Sequence, residues 1–140
     1  MQIKWISAVA AAAMAIPFAA QAQDMEIGKR EYMNSCAQCH GEGGKGDGYL
    51  AGFLNAPLPD LTALQSNNGG VFPVSAVYGI IDGSAAMGAH GSGEMPAWGD
   101  RYSIEGDSAL GTEFSSEDRA AFVRGRILAL VEYIATMQAE

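Results

Sequence analysis

The sequence has little of what most metal and disulfide sites require, because its 140 residues include only two cysteines and two histidines. That count excludes a framework of several disulfides, and a zinc site would need a second cysteine or histidine pair. Basic residues are also scarce: eight Lys and Arg stand against 16 Asp and Glu, giving a net charge of −8 at pH 7. Nucleic acid is therefore not an expected partner.

No apolar run reaches the roughly 20 residues that cross a bilayer as a helix. The longest run, residues 6–20, follows a basic residue and leads to an Ala-x-Ala pattern that ends at Ala22. This pattern predicts a signal peptide over residues 1–22, cleaved between Ala22 and Gln23, and one mature domain over residues 23–140. An uncleaved membrane anchor is the alternative. The predicted location is the periplasm, without a stable membrane span after cleavage.

Strand periodicity is missing, whereas helical spacing recurs along the chain. Asp24 is placed to cap a helix over about residues 25–39, and Pro73 to begin a helix over residues 74–82. The sequence therefore predicts an all-α fold of three or more helices. Long, glycine-rich loops are expected to join them.

The C-terminal quarter of the chain has the clearest helical pattern. Ser115 and Asp118 form a Ser-x-x-Asp capping pattern, and an apolar stripe continues to about Gln138. The stripe consists of Phe122, Val123, Ile127, Leu130, Val131 and Ile134. Between the preceding helix and this one, the polar residues 99–114 are predicted to form a surface loop, with partner recognition as the alternative role.

The chemistry-bearing motif is Cys36-Ala37-Gln38-Cys39-His40. Thiols three residues apart at a helix end occupy neighbouring positions of one face, so both reach the two vinyl groups along one haem edge. The adjacent His40 then turns its imidazole toward the iron, and the pattern is the c-type haem attachment signature. A redox-active Cys-x-x-Cys pair is the competing interpretation, but it would follow a strand in a βαβ setting.

With this motif, the chain resembles the class I c-type cytochromes over nearly all of the mature sequence. In that family the first and last helices cross near a glycine and an aromatic residue, and Gly28, Tyr32 and Tyr133 occupy the matching positions. Residues 57–61 are similar to the family segment that passes below the haem and offers a backbone carbonyl to the axial histidine.

The resemblance implies a small cytochrome c-like domain whose helices and loops wrap around one covalent haem c. Cys36 and Cys39 are the implied attachment residues, and His40 is the implied iron ligand. A large apolar cofactor also suits a chain of this size, because a small domain buries limited apolar surface of its own.

The other iron ligand is predicted from a Met-Pro-x-Trp segment that begins at Met95 and ends at Trp98. In class I cytochromes and in the haem c subunits of respiratory oxidases, the methionine of a similar segment is the second axial ligand of the iron. Met87 and His90 lie in the same stretch and remain alternatives. Trp98 is a candidate donor to a haem propionate, or else a packing residue.

The resemblance implies that the protein transfers single electrons between redox proteins and is not an enzyme, since iron with two protein ligands has no open position for a substrate. A cytochrome subunit of a larger dehydrogenase or oxidase complex is one alternative. An open-site gas-binding or peroxidase-like haem protein is another. Without its signal peptide the chain has seven basic and 16 acidic residues, a net charge of −9, which predicts a basic docking patch on its partners.

Overall fold

The computed structural model describes residues 16–54, 57–85 and 98–139, and every regular element in these ranges is a helix. The α-helices are α1 (Ile16–Ser35), α2 (Ala37–His40), α3 (Leu64–Asn67), α4 (Val74–Asp82), α5 (Trp98–Leu110) and α6 (Ser116–Thr136), with 3₁₀ turns at Ala51–Phe53 and Leu61–Ala63. The all-α prediction is confirmed. None of the described helices is long and apolar enough to cross a membrane.

The first and last helices pack closely where α1 carries a glycine. A Cβ atom on Gly28 would lie 2.1 Å from the carbonyl oxygen of Ala129 in α6, so only glycine allows this approach. One turn further along α1, Tyr32 is fully buried, and its ring centroid lies 5.4 Å from that of Tyr133 at an interplanar angle of 50°. The predicted crossing at Gly28, Tyr32 and Tyr133 is confirmed.

Helix α6 supplies the largest part of the core and contacts α1, α4 and α5. Its fully or nearly fully buried side chains are Ile127, Leu130, Val131 and Ile134, which recur at helical spacing. Val77 and Ile81 of α4 join the same cluster. Burial of each such side chain contributes about 1.5–3 kcal/mol, so α6 stabilises the fold more than any loop segment does.

Two predicted helix boundaries are confirmed in detail. At the start of α6, the Ser115 hydroxyl accepts a hydrogen bond from the Asp118 amide at 3.2 Å, and the Asp118 carboxylate accepts one from the Ser115 amide at 2.9 Å. The Asp118 carboxylate also accepts a bond of 2.7 Å from the Ser115 hydroxyl, and this bond, followed by the one from the Ser115 amide, lowers the pKa of Asp118. Helix α4 begins after Pro73 and ends at Asp82, followed by the capping residue Gly83, whose φ of 86° only glycine adopts readily.

The predicted start of the first helix is wrong. Helix α1 is described from Ile16 onward, so Asp24 lies inside it rather than at its N-cap. Alanine has the highest helix propensity, and the alanine-containing residues before Asp24 continue the helix upstream. Residues 1–15 lie outside the described part of the chain, so the signal peptide over residues 1–22 stays a prediction.

The prediction of a surface loop over residues 99–114 is also wrong, because α5 occupies most of that stretch. Tyr102 is completely buried in the core, and Gly106 packs one turn later against Phe122, whose ring carbon would lie 3.2 Å from a Cβ atom. A single buried aromatic residue and a glycine form too sparse a stripe to produce a helical pattern in the sequence.

Candidate functional site

The Cys-x-x-Cys-His motif forms one helical turn at the end of α1. Cys36 lies between α1 and α2, and its carbonyl accepts hydrogen bonds from the amides of Cys39 at 3.1 Å and His40 at 2.8 Å. Cys36 and His40 are 7% and 2% exposed, Cys39 is partly exposed, and neither cysteine forms a disulfide. The structure therefore brings both thiols and the imidazole together on one turn, as their spacing predicts.

The glycine-rich loop after His40 folds back over α2 and satisfies its last carbonyl groups. The amides of Gly46, Gly48 and Leu50 donate to the carbonyl oxygens of His40, Cys39 and Gln38, at 2.8, 3.1 and 2.7 Å respectively. A Cβ atom on Gly48 would lie 2.5 Å from two of these oxygens, so glycine is required there. The loop therefore fixes the backbone of the motif. The sequence predicted a loop here but not this role, for which the close spacing of its glycines was the available signal.

Tyr32 links the helix crossing to this loop. Its hydroxyl donates a buried hydrogen bond of 2.7 Å to the carbonyl oxygen of Gly41, the residue after His40. Burial, together with the nearby Cys36, raises the pKa of Tyr32, so the hydroxyl remains a donor. The sequence predicted Tyr32 only as part of the helix crossing, and this bond to the loop was not predicted.

The environment of Cys36 does not suit a reactive thiol. Burial raises the pKa of the Cys36 thiol to about 12, and the nearby Glu31 carboxylate and Cys39 add to this shift. Redox-active and metal-binding cysteines instead have a lowered pKa. In the described part of the chain, no group of three or more His, Cys, Asp or Glu residues is placed to hold a metal ion. The raised pKa of Cys36 therefore does not favour a redox-active cysteine pair.

Polar side chains that the sequence analysis did not identify lie around Cys36. Glu31 of α1 is 5% exposed and forms an ion pair with Arg126 of α6. Arg101 of α5 donates to the Ser35 hydroxyl at 3.0 Å. The buried Tyr102 hydroxyl has no hydrogen-bond partner among the described residues, and burial followed by the Glu31 carboxylate raises the pKa of Tyr102.

The segment predicted to pass below the haem packs against the glycine-rich loop. The Leu61 amide donates to the Gly44 carbonyl oxygen at 2.7 Å, and the Leu58 carbonyl oxygen would lie 2.9 Å from a Cβ atom on Gly46. This contact holds residues 57–61 beside the loop that follows the motif.

The predicted distal ligand falls outside the described residues. Met95 and its alternatives Met87 and His90 all belong to the stretch 86–97, so the choice between them stays a prediction. Trp98 is the first residue of α5, which places its backbone directly after that stretch. Its contact with a propionate also stays a prediction.

The described residues fit a covalently attached haem. Two free thiols and a buried histidine share one turn, and partly buried apolar side chains border the core beyond it. These side chains include Leu61, Leu64, Phe72 and Tyr78. The protein covers this apolar area only in part. A porphyrin packed against it would remove the remaining area from water and so stabilise a small domain.

The chain matches a known protein family. A family model described as cytochrome C oxidase, cbb3-type, subunit III matches residues 23–112. The matched range begins at the first residue after the predicted cleavage point, includes residues 36–40, and ends before α6. No curated protein and no solved structure matches the chain.

Proposed function

Since the chain belongs to the class I c-type cytochrome family that this model represents, and such domains bind haem c covalently and carry electrons, we propose that it is a periplasmic carrier with a single haem. The observation that supports this proposal best is the single turn that holds Cys36, Cys39 and His40. This arrangement supports a proposal of two thioether bonds along one haem edge and of one iron ligand from His40.

In this proposal each part of the site has a separate task. Cys36 and Cys39 hold the haem covalently, and His40 supplies the proximal ligand. When bound, the haem supplies a one-electron ferrous–ferric couple. The loop amides that bond the carbonyls of α2 hold the backbone of His40 in place, and the burial of its side chain excludes water from the ligand.

Met95 is the proposed distal ligand. Pro96 restricts Met95 to an extended backbone, which suits a loop residue held against a haem face. A thioether ligand raises the potential, and a second protein ligand leaves no position for a substrate. The proposal is therefore a carrier rather than an enzyme.

The proposed location is the periplasm. The charged start, apolar run and Ala-x-Ala pattern of residues 1–22 support export, and the family match begins directly afterwards at residue 23. Electron donors and acceptors with basic docking patches are the proposed partners, because the mature chain has a net charge of −9.

A second candidate function is that of a cytochrome subunit in a larger respiratory complex. The description of the matching family model, a subunit of a cbb3-type oxidase, favours this candidate. Fractionation of native cells separates the two. A free carrier is recovered in the periplasmic fraction, whereas a subunit co-purifies with membrane proteins after detergent extraction.

The attachment proposal is tested with Cys36→Ala, Cys39→Ala and the double variant, each co-expressed with a haem maturation system. We expect haem staining on a denaturing gel to fall for each single variant and to disappear for the double variant, because thioether bonds survive denaturation and ligand bonds do not. Gln38→Ala, which changes an exposed residue between the cysteines, is the matched control and should stain like wild type. Undiminished staining of the double variant would refute the assignment.

A further inference from the structure

The buried ion pair between Glu31 and Arg126 has no part in haem attachment as described above. The two side chains come from α1 and α6 and are 95 residues apart in the sequence. Removing a carboxylate from water costs several kcal/mol, and an ion pair repays this cost only in part. A pair of apolar residues would join the helices equally well, so the presence of charge beside the attachment motif calls for an explanation.

The two charges of the pair are screened unequally. The Glu31 side chain is 6% exposed, whereas that of Arg126 is 24% exposed. The Arg126 guanidinium also lies over the ring of Phe122, 5.1 Å from its centroid. Because water screens the more exposed charge better, the pair presents a net negative field to the interior.

This field extends to the attachment motif. Glu31 lies in the helix that leads to Cys36, and both belong to the buried region where α1 meets α6. At about 1.5 Å of rise per residue, the five residues from Glu31 to Cys36 separate the two backbones by only about 7.5 Å along the helix axis. The other ion pair near the motif, Arg101 with Glu105, is 43% and 37% exposed and is therefore screened more strongly.

We propose that the Glu31–Arg126 pair sets the reduction potential of the haem, a role that depends on the proposed attachment at Cys36. Ferric haem carries one more positive charge than ferrous haem, so a buried carboxylate stabilises the ferric form and lowers the potential. Arg126 offsets most of this effect. Both residues act through the electric field and not as ligands, because His40 and the distal residue bind the iron.

The experiment is a redox titration of the holoprotein at fixed pH and salt, for wild type, Glu31→Gln, Arg126→Gln and the double variant. We expect Glu31→Gln to raise the midpoint potential and Arg126→Gln to lower it. Each should change the ratio of reduced to oxidised protein at a fixed potential by about tenfold, the effect of a unit charge in a medium of intermediate dielectric constant. The double variant should lie slightly above wild type, since the net field of the pair is negative.

Glu26→Gln and Arg124→Gln are matched controls, because they remove the same charges from exposed positions of the same two helices. Their potentials should stay close to that of wild type. The proposal would be overturned if Glu31→Gln and Arg126→Gln shifted the midpoint potential in the same direction, or by no more than the controls do. The pair would then only join α1 to α6.

Two further results keep this test separate from the proposed function. If Arg126→Gln does not accumulate, Glu31→Gln decides alone, and a potential that fails to rise refutes the proposal. Absence of covalent haem from the wild-type protein would refute the attachment at Cys36 instead. Haem staining and the visible spectrum of every variant are therefore recorded beside the titration, and unchanged spectra show that the ligands are intact.

Discussion

At the scale of single residues, Tyr32 has two roles. Its ring packs against Tyr133 in the crossing of α1 and α6, and its hydroxyl donates to the Gly41 carbonyl oxygen next to His40. A net contribution of about 1 kcal/mol is typical of such a hydrogen bond, and loss of the donor would leave the buried Gly41 carbonyl oxygen with only the longer bond of 3.2 Å from the Gly44 amide. The position of the helix crossing and that of the attachment loop are therefore coupled through one side chain.

The proposed distal ligand is tested by Met95→Ala. We expect this variant to bind carbon monoxide readily in the reduced state and to have a lower midpoint potential, because loss of the thioether opens the iron. Haem staining should be unchanged, since attachment depends on Cys36 and Cys39. Met87→Ala and His90→Ala, which change the alternative ligands, are the controls and should resist carbon monoxide as wild type does.

A different result of this titration would change the proposed function. If wild type binds carbon monoxide at once and Met95→Ala behaves in the same way, the iron has an open position. The closed-site carrier is then contradicted, and a gas-binding or catalytic haem becomes the better account.

At the scale of helices, the crossing of α1 and α6 depends on Gly28. We expect Gly28→Ala to lower the free energy of unfolding of the holoprotein by about 1–3 kcal/mol, because its Cβ atom would meet the backbone of Ala129. Urea unfolding, followed by circular dichroism, measures this change.

Gly125→Ala is the matched control for that substitution. Gly125 also lies in a helix, α6, but a Cβ atom there would meet nothing within 4 Å. Alanine should therefore be neutral or stabilise the protein by up to about 1 kcal/mol through its higher helix propensity. Equal losses of stability for the two variants would contradict the close-packing argument.

The helices also show what this sequence reveals and what it does not. Helix α6 was predictable because the Ser115–Asp118 cap and an apolar stripe agree, and α4 because Pro73 and Gly83 mark its ends. Helix α5 was missed because, among its residues whose burial is described, only Tyr102 and Gly106 are buried. The burial of such a face is apparent only from its packing against α6, which the spacing of apolar residues in the sequence does not show.

In the candidate site, too, some features were predictable from the sequence and others were not. Cys36, Cys39 and His40 are neighbours in the sequence, so their shared turn followed from spacing alone. Glu31 and Arg126 are 95 residues apart, and no local pattern relates an acidic residue in one helix to a basic residue in another. Pairings of this kind depend on tertiary packing, which periodicity does not report.

At the scale of the whole molecule, acidity should govern the encounter with redox partners. We expect the bimolecular rate of electron transfer to a basic partner to fall by about tenfold between 10 mM and 150 mM salt, as the Debye length shrinks from about 30 Å to about 8 Å. Stopped-flow mixing at a series of salt concentrations measures this rate. Reduction by a small uncharged reagent is the control and should be insensitive to salt. A flat dependence with the protein partner would indicate docking through an apolar face.

The pairing of α1 with α6 brings residue 28 into contact with residue 129. Because the two are far apart in the sequence, this contact forms late in folding. The crossing that buries Tyr32 closes only after residues 116–136 have been synthesised, because a contact of such high sequence separation forms late. Until then, residues 36–40 belong to a chain without its partner helix, and both thiols are accessible. Cys36 is buried once the fold has closed. We therefore expect the haem to be attached before the two ends of the domain meet.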